Sequence, residues 1–413
     1  MKRLSIYLIL AVTLFLTSCS TMNGARGKNG EPQSELEITA ENYRDINEIE
    51  ASNSTYRQLI AANPNSFQSV LYQHEIMLNS VALGDPKHLV NEIKQTIELF
   101  ASACNEHYEG ATSEAIQNEY DALEDFISHQ GKIFHHRYQK TKNKLYADTS
   151  KRIYELYLNE LYKSFPVNYR QEDYCLILYY YSDITYFTKD DVVTKDDGTH
   201  DFYFYEVAAN GFTSYLNECK PETLSNDYDL GDDSWTHIYV DVAHGAVLAY
   251  DKLTHDEAQC PPIPETPEEA YDKGTFQQYP IDDCRMNFIH ASQRYFEAVQ
   301  TYDKDGQHEF AHNAIYTSGR IYFEHNQFEQ AISIFQTVIQ IAPKEEAAVF
   351  SASYILDSYV RTKQYQALEP TILEFKNNSE FMANPSPYMK EFIVYMDAFE
   401  KALNIYEERR KSC

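Results

Sequence analysis

Apolar residues recur at intervals of three and four along most of the chain from residue 41 onward. This spacing is typical of amphipathic helices, whereas a half-buried strand alternates with a period of two. Proline, glycine or acidic clusters separate the apolar runs and mark the helix ends. The helices predicted in this way are 41–62, 66–80, 86–104, 112–130, 132–147, 148–164, 172–188, 201–218, 235–253, 283–303, 308–324, 328–341, 346–361, 364–376 and 386–410.

One segment near the carboxyl end carries a denser pattern, HNAIYTSGRIYFEHNQFEQAISIFQTVIQIAP at 312–343. Small residues at two fixed positions would let two helices cross closely, aromatic residues would fill the space between hairpins, and a proline would stop the second helix. The residues in these framework positions are Gly319, Tyr322, Phe328, Ala331, Phe335 and Pro343. The segment resembles a tetratricopeptide repeat (TPR), a helix–turn–helix unit of about 34 residues.

This resemblance implies an all-α fold, in which TPR-like helical hairpins stack into a right-handed superhelix, or α-solenoid. The TPR-like domain is expected at 166–380, after helical hairpins at 41–165 that are possible diverged repeats. Residues 381–413 are expected to form a capping helix, with a coiled-coil contact to a partner as the alternative.

Units on either side of this repeat match it less well. Tyr365 falls in the frame of Phe328, but Leu356 and Leu368 then stand where small residues are expected, and Pro370 falls inside the second helix. Upstream, three residues repeat the spacing of Phe328, Ala331 and Phe335. They are Tyr205, Ala208 and Phe212.

In the repeat family, the first helices of successive hairpins line a ligand groove. Carried onto this sequence, the groove residues are Asn313, Tyr316, Arg320, Phe323 and Glu324. Tyrosine, phenylalanine and arginine are suited to binding an extended peptide or a partner helix. The alternative is that these five are ordinary exposed or packing residues.

The amino terminus predicts an export signal. An apolar run at 6–16 follows Lys2 and Arg3, and it is too short to cross a bilayer core of about 30 Å. The run ends in Leu-Thr-Ser-Cys at 16–19, which resembles the lipobox of bacterial lipoproteins.

The lipobox resemblance implies a signal peptide at 1–18, lipid attachment at Cys19 and a lipidated flexible tether at 19–40. Ser20 follows the lipidated residue, and by the sorting rule of that family it favours the periplasmic face of the outer membrane. Exposure at the cell surface stays open as the alternative.

Six cysteines remain after Cys19, an even count that permits disulfides in an oxidising compartment. Cys260 and Cys284 bracket a proline-rich connector and are the first candidate pair. Cys175 and Cys219 would join two helices of one hairpin and are the second. Buried free thiols are the alternative for each pair.

Composition narrows the function classes. The chain has 413 residues and a net charge of −28, so its surface repels the phosphates of nucleic acid. A mean hydropathy of −0.54 excludes a polytopic membrane protein. Only 13 glycines and 14 prolines argue against a turn-rich β fold, whereas 35 tyrosines and 22 phenylalanines supply bulk for a helical core.

His308 and His312 belong to the pentapeptide HEFAH, which has the H-E-x-x-H spacing of zinc peptidases. A polar turn precedes it, no third ligand is evident, and it overlaps the start of the repeat. A zinc-dependent metallopeptidase is therefore the alternative to a non-enzymatic protein, and no cofactor is predicted.

Together the two resemblances imply a lipid-anchored periplasmic scaffold that binds other envelope proteins. This combination of a lipid anchor and helical repeats is similar to the TPR lipoproteins of outer-membrane assembly and of gliding machineries. The membrane contact would run through the lipid at Cys19.

Overall fold

The computed structural model describes residues 34–165, 169–188, 202–231, 233–264, 269, 276–303 and 309–412. Of the described residues, 79% are helical, and they contain no strand, only an isolated bridge between Ser66 and Glu109. The predicted all-α class of helices packed in adjacent pairs is confirmed. None of the described helices is both long and apolar enough to cross a membrane.

The chain divides into two compact units between Leu123 and Glu124. In the first unit, the first four helices each pack on their neighbour in the chain. Its helices are α1 (Glu35–Asp45), α2 (Ile49–Ala62), α3 (Phe67–Leu83), α4 (Pro86–Asn105) and the beginning of α5 (Ser113–Thr141).

Two predicted boundaries in this unit are wrong. The chain forms α1 and α2 where one helix was predicted at 41–62, because the backbone turns at Asn47 with a φ of 63°. Residues 35–40 of the predicted tether are helical, because Ser34 and Glu37 cap α1 reciprocally.

The second unit is a series of helix pairs. Its helices are the remainder of α5, α6 (Lys144–Leu156), α7 (Gln171–Phe187), α8 (Tyr203–Glu218), α9 (Trp235–Leu253), α10 (Asp283–Tyr302), α11 (Glu309–Glu324), α12 (Phe328–Ile341), α13 (Glu346–Arg361), α14 (Tyr365–Asn377) and α15 (Tyr388–Ser412). A π-helical turn, Tyr157–Leu161, continues α6.

The predicted break between helices 112–130 and 132–147 is also wrong, because α5 runs through Gly131. The ring of Tyr154 on α6 lies against the Gly131 backbone, in space that a β-carbon would occupy. Gly131 therefore permits a close helix crossing and does not end the helix.

In the part of the chain that the structure describes, five non-glycine residues adopt a left-handed backbone conformation, one or two positions after a helix ends. They are Asn47, His107, Lys142, Asn326 and Lys363, with φ between 56° and 63°. This conformation closes a helix and is usually left to glycine, of which the chain has few.

A core of apolar side chains continues from α11 to α15. Phe392 and Met396 bring α15 into this core beside Phe375 and Phe381. The carboxyl-terminal helix therefore covers the hairpin of α13 and α14 with its apolar side.

Candidate functional site

The repeat hairpin consists of α11 and α12, and its crossing point depends on Gly319. A β-carbon at this position would lie 2.6 Å from Cε1 of Phe335, closer than real contacts allow. Phe335 and Ala331 are both fully buried. The small residue thus lets the phenylalanine ring of α12 lie directly on the backbone of α11.

The other framework residues complete this packing. Phe328 is buried and its ring lies 5.3 Å from that of Phe323, in an edge contact. Tyr322 is partly buried against the same core. Pro343 follows the end of α12, and its carbonyl oxygen accepts a hydrogen bond from Nδ2 of Asn384 at 2.8 Å.

The five predicted groove residues differ in how exposed their side chains are. Asn313 and Arg320 are exposed, and a guanidinium nitrogen of Arg320 lies 3.1 Å from Oε1 of Glu324. Tyr316 is half-buried, with its ring 6.3 Å from that of Tyr354 on α13. The prediction for Phe323 is wrong, because its side chain is only 3% exposed and belongs to the core.

The hairpin of α13 and α14 departs from the repeat. Leu356 and Leu368 are buried at the positions where small residues were expected, and Tyr365 is 43% exposed. Pro370 lies inside α14. Two leucines at the crossing leave no room for the ring-on-backbone contact found at Gly319.

The hairpin of α7 and α8 has its small residue on the other helix. Gly211 of α8 lies against the Ser182 side chain of α7. Phe212 is buried, as are Tyr205 and Ala208 of the same helix. The ring of Phe212 contacts the following helix, where a β-carbon on Gly245 would be 2.7 Å from it.

Both candidate cysteine pairs form disulfides in the structure. Cys175 of α7 is joined to Cys219 just beyond α8, with their α-carbons 5.7 Å apart. Cys260 is joined to Cys284 of α10, with α-carbons 5.9 Å apart. The described residues leave Cys104 as a free thiol, and burial raises its pKa to about 11. Cys19 lies outside the described residues.

Of the two histidines of the HEFAH segment, the structure describes His312. His308 lies outside the described residues. His312 is 8% exposed, and its Nδ1 lies 2.8 Å from Oε1 of Glu345. In the part of the chain that the structure describes, the cluster with three potential ligands is Cys260, Asp282 and Cys284. Its thiols form a disulfide, and Asp282 caps α10.

A cluster of charged side chains, two of them buried carboxylates, lies at the start of α7 and was not predicted. The guanidinium of Arg170 approaches three carboxylates, those of Glu124, Asp125 and Asp173. The hydroxyl of Tyr157 donates a hydrogen bond of 2.6 Å to Glu124, whose side chain is fully buried. Burial raises the pKa of Glu124 to about 7.

This cluster also holds the connection between α8 and α9. The hydroxyl of Tyr228 donates to Asp173, and the backbone N–H of Ser225 donates to Glu172. Trp235 at the start of α9 donates its indole N–H to the carbonyl of Ser225 at 3.0 Å. The connection is thus held to α7 through Ser225 and Tyr228 and to α9 through Ser225.

A second unpredicted feature is a surface of acidic and aromatic side chains, which we call the Asp241 face. It draws residues from α7, α9, α10 and α11 and from the positions directly beside α9 and α10. The members are Tyr179, Asp183, Asp233, His237, Asp241, His244, Tyr295, Asp303 and Phe310.

Its polar centre is a stripe on α9. Nδ1 of His237 lies 2.7 Å from Asp233, and its Nε2 lies 3.9 Å from Asp241. The hydrogen bond to Asp233 raises the pKa of His237, and burial lowers the pKa of His244. The spacing of these residues, at 233, 237, 241 and 244, was a visible sequence signal, because four- and three-residue steps share one helix face.

Comparison with known proteins gives a family match for one segment of the chain. Residues 313–344 match the tetratricopeptide repeat family. Among solved structures, the chain is similar to the TPR domain of P58(IPK), at 10% sequence identity and a TM-score of 0.22. That similarity covers 89% of this chain and 99% of the other. No match was found among curated proteins.

The class defined by these observations is a protein of paired helices. More particularly, the chain contains a tetratricopeptide repeat at 313–344, and its α11 and α12 form the two helices of that unit.

Proposed function

We propose that the protein is a lipid-anchored scaffold that binds other proteins in a bacterial envelope, on the periplasmic face of the outer membrane. The observation that carries the scaffold role is the repeat hairpin of α11 and α12, which leaves Asn313 and Arg320 exposed on one helix. Tetratricopeptide repeats are protein-binding modules, and stacked repeats offer extended binding surfaces.

Two further observations support the envelope location. Disulfides persist mainly in oxidising compartments, and Cys175–Cys219 and Cys260–Cys284 join residues 44 and 24 positions apart. The sequence at 16–19 has the lipobox pattern, with Cys19 as the residue that would carry the lipid.

The anchor is tested by growing cells with an alkyne-tagged fatty acid and following the wild-type chain and the Cys19→Ala variant. We expect label on the wild type only, and we expect the wild type to sediment with outer membranes. Equal labelling of both chains, or of neither, would contradict the anchor.

The scaffold role is tested by photo-crosslinking in intact cells. A photoreactive residue replaces Asn313 on α11, and a matched control carries it at Ser333, which is exposed on α12. We expect discrete crosslinked proteins from position 313 that are absent from position 333. The same bands at both positions would indicate random encounters and would contradict specific docking.

A further inference from the structure

The Asp241 face contains a group of three rings with one exposed edge. The rings of His244 and Tyr295 are stacked with centroids 5.2 Å apart, and the ring of Phe310 lies 4.5 Å from His244. Tyr295 is 8% exposed, whereas Phe310 is 41% exposed. A large aromatic side chain of α11 is therefore supported by two rings beneath it and is open to solvent on the other side.

Carboxylates surround this group. Asp241 lies four residues from His237 and three from His244. Burial raises the pKa values of Tyr295 and Tyr179, and the negative charge of Asp241 raises them further. Asp303 acts on Tyr295 as well.

The carboxylate of Asp241 has no strong cationic partner among the described residues. Burial raises the pKa of Asp241. Among the described residues, its ion-pair contact is with Nε2 of His237 at 3.9 Å and not with a lysine or arginine. Its side chain is 47% exposed, so it is accessible to a ligand.

A cation lies beside an aromatic ring at a neighbouring position of α7, outside this group of three rings. The ammonium group of Lys132 lies 5.9 Å from the centre of the Tyr180 ring, next to Tyr179. The face of an aromatic ring attracts a cation, and the attraction grows where water is partly excluded.

We propose that the Asp241 face binds a basic segment of a partner protein, with an arginine side chain between Phe310 and Asp241. This rests on the proposed scaffold role and names the chemistry of its partner. Arginine fits better than lysine, because a planar guanidinium stacks on rings and pairs with a carboxylate through two hydrogen bonds. Four carboxylates of this face supply the complementary negative charge, those of Asp183, Asp233, Asp241 and Asp303.

The test is a titration of the full-length chain in neutral detergent with a fluorescein-labelled oligo-arginine peptide, followed by anisotropy. An oligo-glutamate peptide is the negative probe, and an oligo-lysine peptide of equal length tests the preference for guanidinium. We expect saturable binding of oligo-arginine, weaker binding of oligo-lysine and none of oligo-glutamate. Added salt should weaken the binding.

Two variants test the location. Asp241→Asn should weaken oligo-arginine binding about fivefold, as expected for one partly exposed charge pair. Phe310→Ala should weaken it about threefold through the loss of a cation–ring contact. Circular dichroism of both variants should match the wild type, because neither changed side chain belongs to the buried core.

The matched control is Glu329→Gln, an exposed glutamate on α12. It removes the same charge from a protein of net charge −28, and we expect unchanged binding. Equal weakening by Asp241→Asn and Glu329→Gln would mean attraction by net charge alone, and this would overturn the proposal. Absence of peptide binding with retained crosslinks at position 313 would overturn this inference but not the scaffold; loss of both would overturn the two together.

Discussion

Two pairs of adjacent helices, α11 with α12 and α7 with α8, are held together by different side-chain contacts. In the first, the Phe335 ring lies on Gly319. In the second, Ser182 lies on Gly211, and a disulfide joins Cys175 to Cys219. Hydrogen bonds from Gln171 and Tyr174 of α7 to Glu218 of α8 add to the second hairpin. A family pattern built on small and aromatic positions therefore matches only the first.

The largest effect should come from the ring at the centre of the repeat. Phe335→Ala should lower the free energy of unfolding by about 4 kcal/mol, because a fully buried ring would leave a cavity between α11, α12 and α13. Urea unfolding followed by circular dichroism measures this. Ser333→Ala, an exposed change on the same helix, should stay within about 0.5 kcal/mol. Similar losses for both variants would contradict the packing described.

The disulfide should be the main support of the other hairpin. Changing both Cys175 and Cys219 to alanine should lower the free energy of unfolding by about 3 kcal/mol, because the closed loop spans 44 residues. The control is Cys104→Ala, at a cysteine outside both disulfides. A double variant as stable as this control would show that helix packing alone holds α7 to α8.

The charged cluster should make the region around α7 sensitive to pH. Burial raises the pKa of the Glu124 carboxyl to about 7 in the folded protein, from 4.5 in the unfolded chain. The folded state therefore binds this proton more tightly. Its contribution to stability is full below pH 4.5 and is lost as the pH rises to 7.

The matching variant is Glu124→Gln, which keeps an acceptor for Tyr157 but cannot ionise. From pH 5 to pH 8, its stability should rise relative to wild type by about 2 kcal/mol. The fluorescence of Trp235, the single tryptophan, follows unfolding of this region. A difference in unfolding free energy between Glu124→Gln and wild type that stays constant over this pH range would refute the assignment. The control is Glu329→Gln, for which we expect such a constant difference.

The smallest effect should come from the exposed ion pair of the repeat. Arg320→Ala should cost about 0.3 kcal/mol, because Arg320 and Glu324 are 44% and 35% exposed. Phe323→Ala, a change three residues further on, should cost about 4 kcal/mol because Phe323 is buried. Comparable losses in urea unfolding would show that Arg320 also belongs to the core.

Strong local signals made parts of the fold predictable. The predicted helices 235–253, 328–341 and 346–361 have the observed bounds, Trp235–Leu253, Phe328–Ile341 and Glu346–Arg361. Clear apolar periodicity sets their length. At 41–62 the periodicity continues across Asn47, and only the backbone conformation there shows that the helix ends.

The sites were harder to predict, since they join distant parts of the chain. Arg170 meets Glu124 across 46 residues, and no local pattern in the sequence links them. The α9 stripe of the Asp241 face was visible in the residue spacing, but its neighbours Tyr295 and Phe310 come from α10 and α11. Phe323 was misplaced because a family position cannot show how neighbouring helices cover that side chain.

The left-handed residues after the helix ends leave an unused margin of stability. Lys142 and Lys363 are exposed and have φ values of 56° and 58°, a conformation that costs a residue with a β-carbon about 1 kcal/mol. Glycine adopts it without that cost. Replacing Lys142 or Lys363 with glycine should therefore stabilise the fold. This gain can offset the loss of stability in a variant that alters a binding surface elsewhere in the chain.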